Sequence, residues 1–197
     1  MAELMRVIGL MSGTSMDGID IALLETDGEE IVRRGPSQAF AYSSQERALL
    51  RRAIEAAAKW PARAPAPEVI SVAEAHVTDA HGAAIEQFMK AQALTPAQVD
   101  LIGFHGQTVL HQPDQRRTVQ LGNGHDLARR IGIDVVYDFR AADVAAGGEG
   151  APFAPLYHRA LAASLAGDKP VAILNLGGVG NVTWLGADGT ILAFDTG

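Results

Sequence analysis

Apolar positions come in short runs at the start of the chain and at helical spacing further on. Residues 5–11 form an apolar run that stops at Ser12-Gly13-Thr14-Ser15, and apolar residues resume over 19–25. Short runs broken by a polar, glycine-containing stretch predict strand, loop, strand. Asp27-Gly28 predicts a turn into a third strand near 30–33. Ser43-Ser44-Gln45-Glu46 is a capping box, in which the Ser43 and Glu46 side chains can each accept the other's backbone N–H. The helix it opens carries Leu49, Leu50, Ile54 and Ala57 and must end before Pro61, where a proline- and alanine-rich connector runs to Pro67. Val69, Val72, Ala73, His76, Val77, Ala80, Ala84 and Phe88 keep helical spacing, which predicts a long helix over 68–93.

Thr95-Pro96-Ala97-Gln98 has the residues of another helix start. Residues 100–104 then predict a buried strand feeding His105-Gly106-Gln107-Thr108, with a helix over 123–131 and a strand over 133–137. A helix is expected over 152–165, then strands over 170–175, 181–185 and 190–194. Alternation of this kind is mixed α/β. Residues 7–13 and 172–178 also echo each other, each carrying a strand into a glycine turn and then a second strand.

Composition narrows the function classes. The 197 residues, 48% of them hydrophobic, suffice for one sizeable core or two modest lobes. A formal net charge of −7 disfavours nucleic acid and anionic membranes as partners. With no cysteine there is no disulfide, thiolate catalysis or zinc–thiolate site. No apolar run is long enough for a membrane span and no export signal is visible, so a cytoplasmic protein is expected.

Three segments can carry chemistry. In Gly13-Thr14-Ser15-Met16-Asp17-Gly18-Ile19-Asp20, two glycines allow close approach of backbone to phosphate, and Thr14 and Ser15 add hydroxyls. Asp17 and Asp20 are candidate magnesium ligands, through water where the ion keeps its hydration. No Gly-Lys-Ser/Thr follows, so this is not a Walker loop, and a plain polar hairpin turn is the bland alternative. The second segment runs from Asp138-Phe139-Arg140 through Asp143 and Gly147-Gly148 to Pro152, a strand end followed by a glycine-rich loop. Arg140 offers a planar fork for carboxylate or phosphate, or a structural ion pair with Asp138 or Asp143. The third is Phe194-Asp195-Thr196-Gly197, where a carboxylate after an apolar strand can act as a general base. Asp-Thr-Gly also occurs in aspartic proteases, but no second copy exists and the helices between residues 44 and 92 oppose an all-β protease fold. The histidines show no metal-ligand spacing; His105 alone is kept as a candidate site wall.

In order and spacing, these segments with His105-Gly106-Gln107-Thr108 and Leu174-Asn175-Leu176-Gly177-Gly178 plus Asn181 resemble the anhydro-N-acetylmuramic acid kinases over essentially the whole chain. The resemblance implies a ribonuclease H-like lobe of the actin, sugar-kinase and heat-shock ATPase fold, a mixed β-sheet with flanking helices. It implies a first lobe over 1–130, with a phosphate loop and a helical insert, and the start of a second lobe over 131–197. Residues 13–20 would be the first phosphate loop, and the hairpin with Gly177 and Gly178 the second, which makes the echo a duplication. ATP and magnesium would be the cofactors, and anhydro-N-acetylmuramic acid the substrate. The family reaction opens the 1,6-anhydro bridge and phosphorylates O6. Asp195 would be the base, Arg140 would meet the lactyl carboxylate or phosphate, and His105, Gln107 and Asn175 would line the substrate. A homodimer is left open. Because the family continues past Asp195 into a second lobe, the resemblance implies a fragment with little or no kinase activity alone; a non-catalytic sugar- or phosphate-binding lobe is the competing class.

Overall fold

The computed structural model describes residues 3–163, 170–176 and 180–196. Alternating apolar residues explain the first sheet. Strands β1 (Met5–Ser12), β2 (Gly18–Thr26), β3 (Val32–Ala41), β4 (Leu101–Gln112) and β5 (Arg117–Leu121) lie in the order β3-β2-β1-β4-β5, with β6 (Val135–Tyr137) also on β4. β1 and β6 run parallel to β4, whereas the β1–β2, β2–β3 and β4–β5 pairs are antiparallel. The register sets Ile8 beside Leu23 and Ile102, and Leu10 beside Ile21 and Phe104. Residues opposite one another in a ladder share a face, so these six form one apolar wall. Helices α1 (Ser44–Ala58) and α2 (Glu68–Ala91) cover it with Leu50, Ala53, Val77, Ile85 and Phe88, all fully buried. At about 25 cal/mol per Å² of apolar area, each such large side chain contributes roughly 2 kcal/mol by leaving water. The capping box forms as expected: Glu46 N–H donates to Ser43 Oγ (3.2 Å) and Ser43 N–H to Glu46 Oε2 (2.6 Å).

Several expected boundaries move, each for a local reason. The third strand is expected near 30–33 but continues to Ala41. It is an exposed edge strand held by backbone pairing, so no apolar alternation marks it, and Gly35-Pro36 is accommodated opposite Leu23 where the register shifts. Thr95 opens only a 3₁₀ turn, Pro96–Gln98. The strand expected to stop at residue 104 runs on to Gln112, and β5, which the pattern does not announce, pairs with its second half. The loop expected after Arg140 contains a short helix, α4 (Ala141–Ala146). Helix α3 (Gly124–Ile131) follows its Asn123 cap, and α5 (Ala154–Ala162) falls inside the range expected for it.

A second antiparallel sheet follows: β7 (Val171–Asn175), β8 (Asn181–Leu185) and β9 (Ile191–Asp195) in the order β7-β8-β9. Its face at Thr183 meets α5, where His158 Nδ1 lies 2.9 Å from Thr183 Oγ1. The opposite face holds the rows Ala172–Trp184–Leu192 and Leu174–Val182–Phe194. Leu174, Leu192 and Phe194 there are each more than half exposed. Both sheets thus begin with a three-stranded meander, and each opening hairpin has a five-residue connection, after Ser12 and after Asn175. β6 belongs to the first sheet, so the change of sheet falls between β6 and β7 and not at residue 131. We therefore propose a lobe boundary after residue 137.

Candidate active site

A strand bulge sorts the His105-Gly106-Gln107 triplet. Leu10 pairs with Phe104 but Ser12 pairs with Gln107, so Met11 faces two residues, His105 and Gly106. Gln107 therefore follows Phe104 onto the core face, and His105 falls on the other. Gly106 makes this possible, with φ of 68° and no room for a side chain: an added Cβ would sit 2.3 Å from the Leu121 carbonyl oxygen.

His105, 8% exposed, has its Nδ1 2.7 Å from the Gly106 carbonyl oxygen. Only a protonated Nδ1 can make that bond, which leaves Nε2 as an acceptor. Arg140 Nη2 (3.0 Å) and Nε (3.3 Å) both donate to it. Burial, and then the Arg140 charge, hold His105 below the usual histidine pKa, so the ring is neutral at pH 7. Arg140 Nη1 donates to the Gly150 carbonyl at 2.5 Å, and the guanidinium lies 5.5 Å from the centre of the Phe153 ring. Asp143 does not pair with Arg140; its Oδ2 accepts from Gly150 N–H at 2.7 Å. The alternative Asp138–Arg140 ion pair is likewise not formed, since Arg140 bonds to His105 and Gly150. Among the described residues, one N–H on each terminal nitrogen of Arg140 has no acceptor.

These groups share a cleft of about 710 Å³ lined by Met11, Ser12, Gly13, Thr14, Ser15, His105, Thr108, His111, Arg140, Ala151, Asn175 and Asn181. The first hairpin loop, the Arg140–His105 wall and the end of β7 thus face one space. The register places Asn181 opposite both Asn175 and Asp195. The Asp195 side chain, Gly177, Gly178 and Gly197 lie outside the described residues. Thr108, His111, Ala151 and Asn181 are lining residues that sequence reasoning did not select as sites. Asn181, a polar residue opening an apolar strand, was the one with a readable signal.

Not every candidate reaches the cleft. Gln107, expected against the substrate, is fully buried: its Oε1 accepts from Ser12 Oγ (2.6 Å) and its Nε2 donates to the carbonyls of Gly13 (3.2 Å) and Thr108 (3.3 Å). Ile19 is in the core and Met16, at φ 54°, packs beside it, so neither side chain faces the cleft. Gly18 is required by strand packing, since a Cβ would meet the Phe40 carbonyl oxygen at 2.3 Å. Asp17 and Asp20 are exposed and outside the lining; Ser15 Oγ donates to Asp17 at 2.7 Å and holds that carboxyl low. This arrangement fits a magnesium ion poorly, because neither carboxylate faces the space a phosphate would share.

The strand order, the paired meanders and the cleft before the first hairpin define the class: a ribonuclease H-like α/β lobe of the actin, sugar-kinase and heat-shock ATPase fold. A family model described as anhydro-N-acetylmuramic acid kinase matches residues 5–197, and the chain belongs to that family. It is 54% identical over 203 residues to an anhydro-N-acetylmuramic acid kinase of Methylobacterium nodulans, an alignment covering 98% of this chain and 54% of the relative. Its identity to the protein of that name from Rhodopseudomonas palustris is 52%, over 98% of this chain and 53% of the relative. The chain spans about half the length of the curated relatives it matches. Among the described residues no helix is long and apolar enough to cross a membrane.

Proposed function

We propose that this chain is the phosphate-loop half of an ATP-dependent kinase that opens the 1,6-anhydro bridge of anhydro-N-acetylmuramic acid and phosphorylates O6. The observation that carries the proposal is the single cleft shared by the Gly13-Thr14-Ser15 loop, Arg140 and Asn175. Thr14 and Ser15 then hold phosphate through backbone N–H and hydroxyl groups. Asp195 takes a proton from the water that attacks the anomeric carbon, as the base of an inverting glycosidase does. The C1–O6 bond breaks, and O6 leaves onto the γ-phosphoryl group, giving the 6-phosphate and ADP. Arg140 meets the lactyl carboxylate or a phosphate oxygen with its two unused N–H groups. His105 is neutral and orients that guanidinium, and Asn175 positions the acceptor. Magnesium enters with ATP, and no step is assigned to Asp17 or Asp20.

The test is ³¹P analysis of products from ATP, magnesium and anhydro-N-acetylmuramic acid, on this chain and on a chain extended to the length of its relatives. A sugar 6-phosphate resonance is expected from the long chain and little or none from the short one. The long chain carrying Asp195→Asn should turn over orders of magnitude more slowly while keeping its ATP affinity. Absence of the product from the long chain rejects the reaction. An unchanged rate in Asp195→Asn removes that residue from the role of base.

A further inference from the structure

Behind the first hairpin loop lies a buried polar relay that the proposed chemistry does not use. Tyr42, 4% exposed, has its hydroxyl 3.0 Å from Ser12 Oγ, and Ser12 Oγ donates to Gln107 Oε1 at 2.6 Å. Ser12 has one proton and gives it to Gln107, so the Tyr42 hydroxyl must be the donor to Ser12. Burial pushes the Tyr42 hydroxyl up to about 12, which keeps that proton in place at any working pH. The relay therefore has one direction, from Tyr42 through Ser12 to Gln107. The Gln107 amide then ends it on the Gly13 carbonyl, which also accepts from Met16 N–H at 3.1 Å.

The Gly13 carbonyl begins the loop, and its peptide with Thr14 is trans. In a trans peptide the C=O and the following N–H point in opposite directions. A carbonyl held towards buried Gln107 therefore turns Thr14 N–H outward, on the side where Thr14 lines the cleft. Among the described residues neither Thr14 N–H nor Ser15 N–H has a partner within the chain. We propose that Gln107 is a positioning residue for the phosphate loop, holding the Gly13–Thr14 peptide so that Thr14 N–H faces the bound phosphate. This rests on the phosphate-loop reading above. The Gln107 side chain is fully buried and touches no ligand; it acts through the peptide.

The test separates orientation from binding. Residual dipolar couplings of the Thr14 amide report its direction, and its ¹H–¹⁵N shift on titration with inorganic tripolyphosphate reports binding. In the wild type a large Thr14 shift is expected. In Gln107→Met the Thr14 coupling should change while those of β1 and β4 do not, and tripolyphosphate should bind about tenfold more weakly or worse, since a hydrogen bond to a charged group is lost. Should Gln107→Met fail to fold, Gln107→Glu supplies the same test. A protonated glutamic acid can accept from Ser12 and donate to Gly13, whereas a carboxylate can only accept. Gln107→Glu should thus match the wild type at low pH and lose the Thr14 orientation as pH rises, a profile absent from the wild type. An unchanged Thr14 coupling in Gln107→Met, or a pH-independent one in Gln107→Glu, overturns the positioning role. Altered couplings with no tripolyphosphate response in the wild-type loop overturn the phosphate reading, and with it the role.

Discussion

Arg140 is held by two acceptors, the Gly150 carbonyl and His105 Nε2, and it reaches both because a guanidinium is a rigid fork. A lysine has a single nitrogen and cannot span the two in that geometry. The ring of His105 gains by the arrangement: its neutral form is favoured first by burial and then by the adjacent positive charge. Replacing Arg140 with methionine removes the second cause and leaves the first. The His105 pKa should therefore rise in Arg140→Met while staying below that of an exposed histidine, as read from imidazole resonances in an NMR titration. No movement would mean that the guanidinium charge is not felt at the ring. Arg140 itself could be singled out in the sequence as a fork at a strand end. Its partners could not, because Gly150 and His105 come to it only through the fold.

At the scale of the element, helix α2 was the most legible part of the chain, and its buried stripe carries a histidine at helical spacing from Val77, Ala84 and Phe88. His81 is fully buried on the face that meets β4, 4.9 Å ring to ring from Phe104. Its Nδ1 bonds to the Val77 carbonyl at 2.7 Å, and its Nε2 has no partner among the described residues. Burial pushes its pKa down to about 4, with smaller contributions of the same sign from His105 and His76. In the unfolded chain His81 takes up a proton near pH 6.5, and in the folded protein only near pH 4. Between those values the unfolded state binds the extra proton, so stability falls as pH falls, by roughly 3 kcal/mol over the whole interval. Urea unfolding at pH 7 and pH 5 should show the wild type losing more stability than His81→Leu. Equal losses would show that His81 is protonated in the folded state. The strands were harder to read than the helices. β3 is an edge strand with exposed side chains, and β5 is short and partly buried up to its last residue, Leu121, so neither carries the alternation that marks β1 and β2. The short helix α4 was hidden by the glycines that follow it.

In the whole molecule, the two sheets differ in how they are covered. The first has an apolar wall under α1 and α2. The second is covered by α5 on one face and leaves Leu174, Leu192 and Phe194 open on the other. An apolar patch of that kind on a folded surface is prone to self-association. The chain should bind a hydrophobic dye and associate with rising concentration in analytical ultracentrifugation. The double change Leu174→Lys and Phe194→Lys should reduce both, with the circular dichroism spectrum retained. Unaltered association in the double variant would move the sticky surface elsewhere.

The bulge in β4 is a matter of parity. Between Phe104 and Gln107 the strand carries one residue more than β1 does beside it, and on that surplus depends which way each later side chain looks. Were the bulge closed with all four residues kept, strict alternation would turn Gln107 to the face that carries His105. A side chain at residue 106, for which the bulge has no room, therefore threatens more than its own position. Divergence in this segment should spare the glycine at 106 while its neighbours exchange.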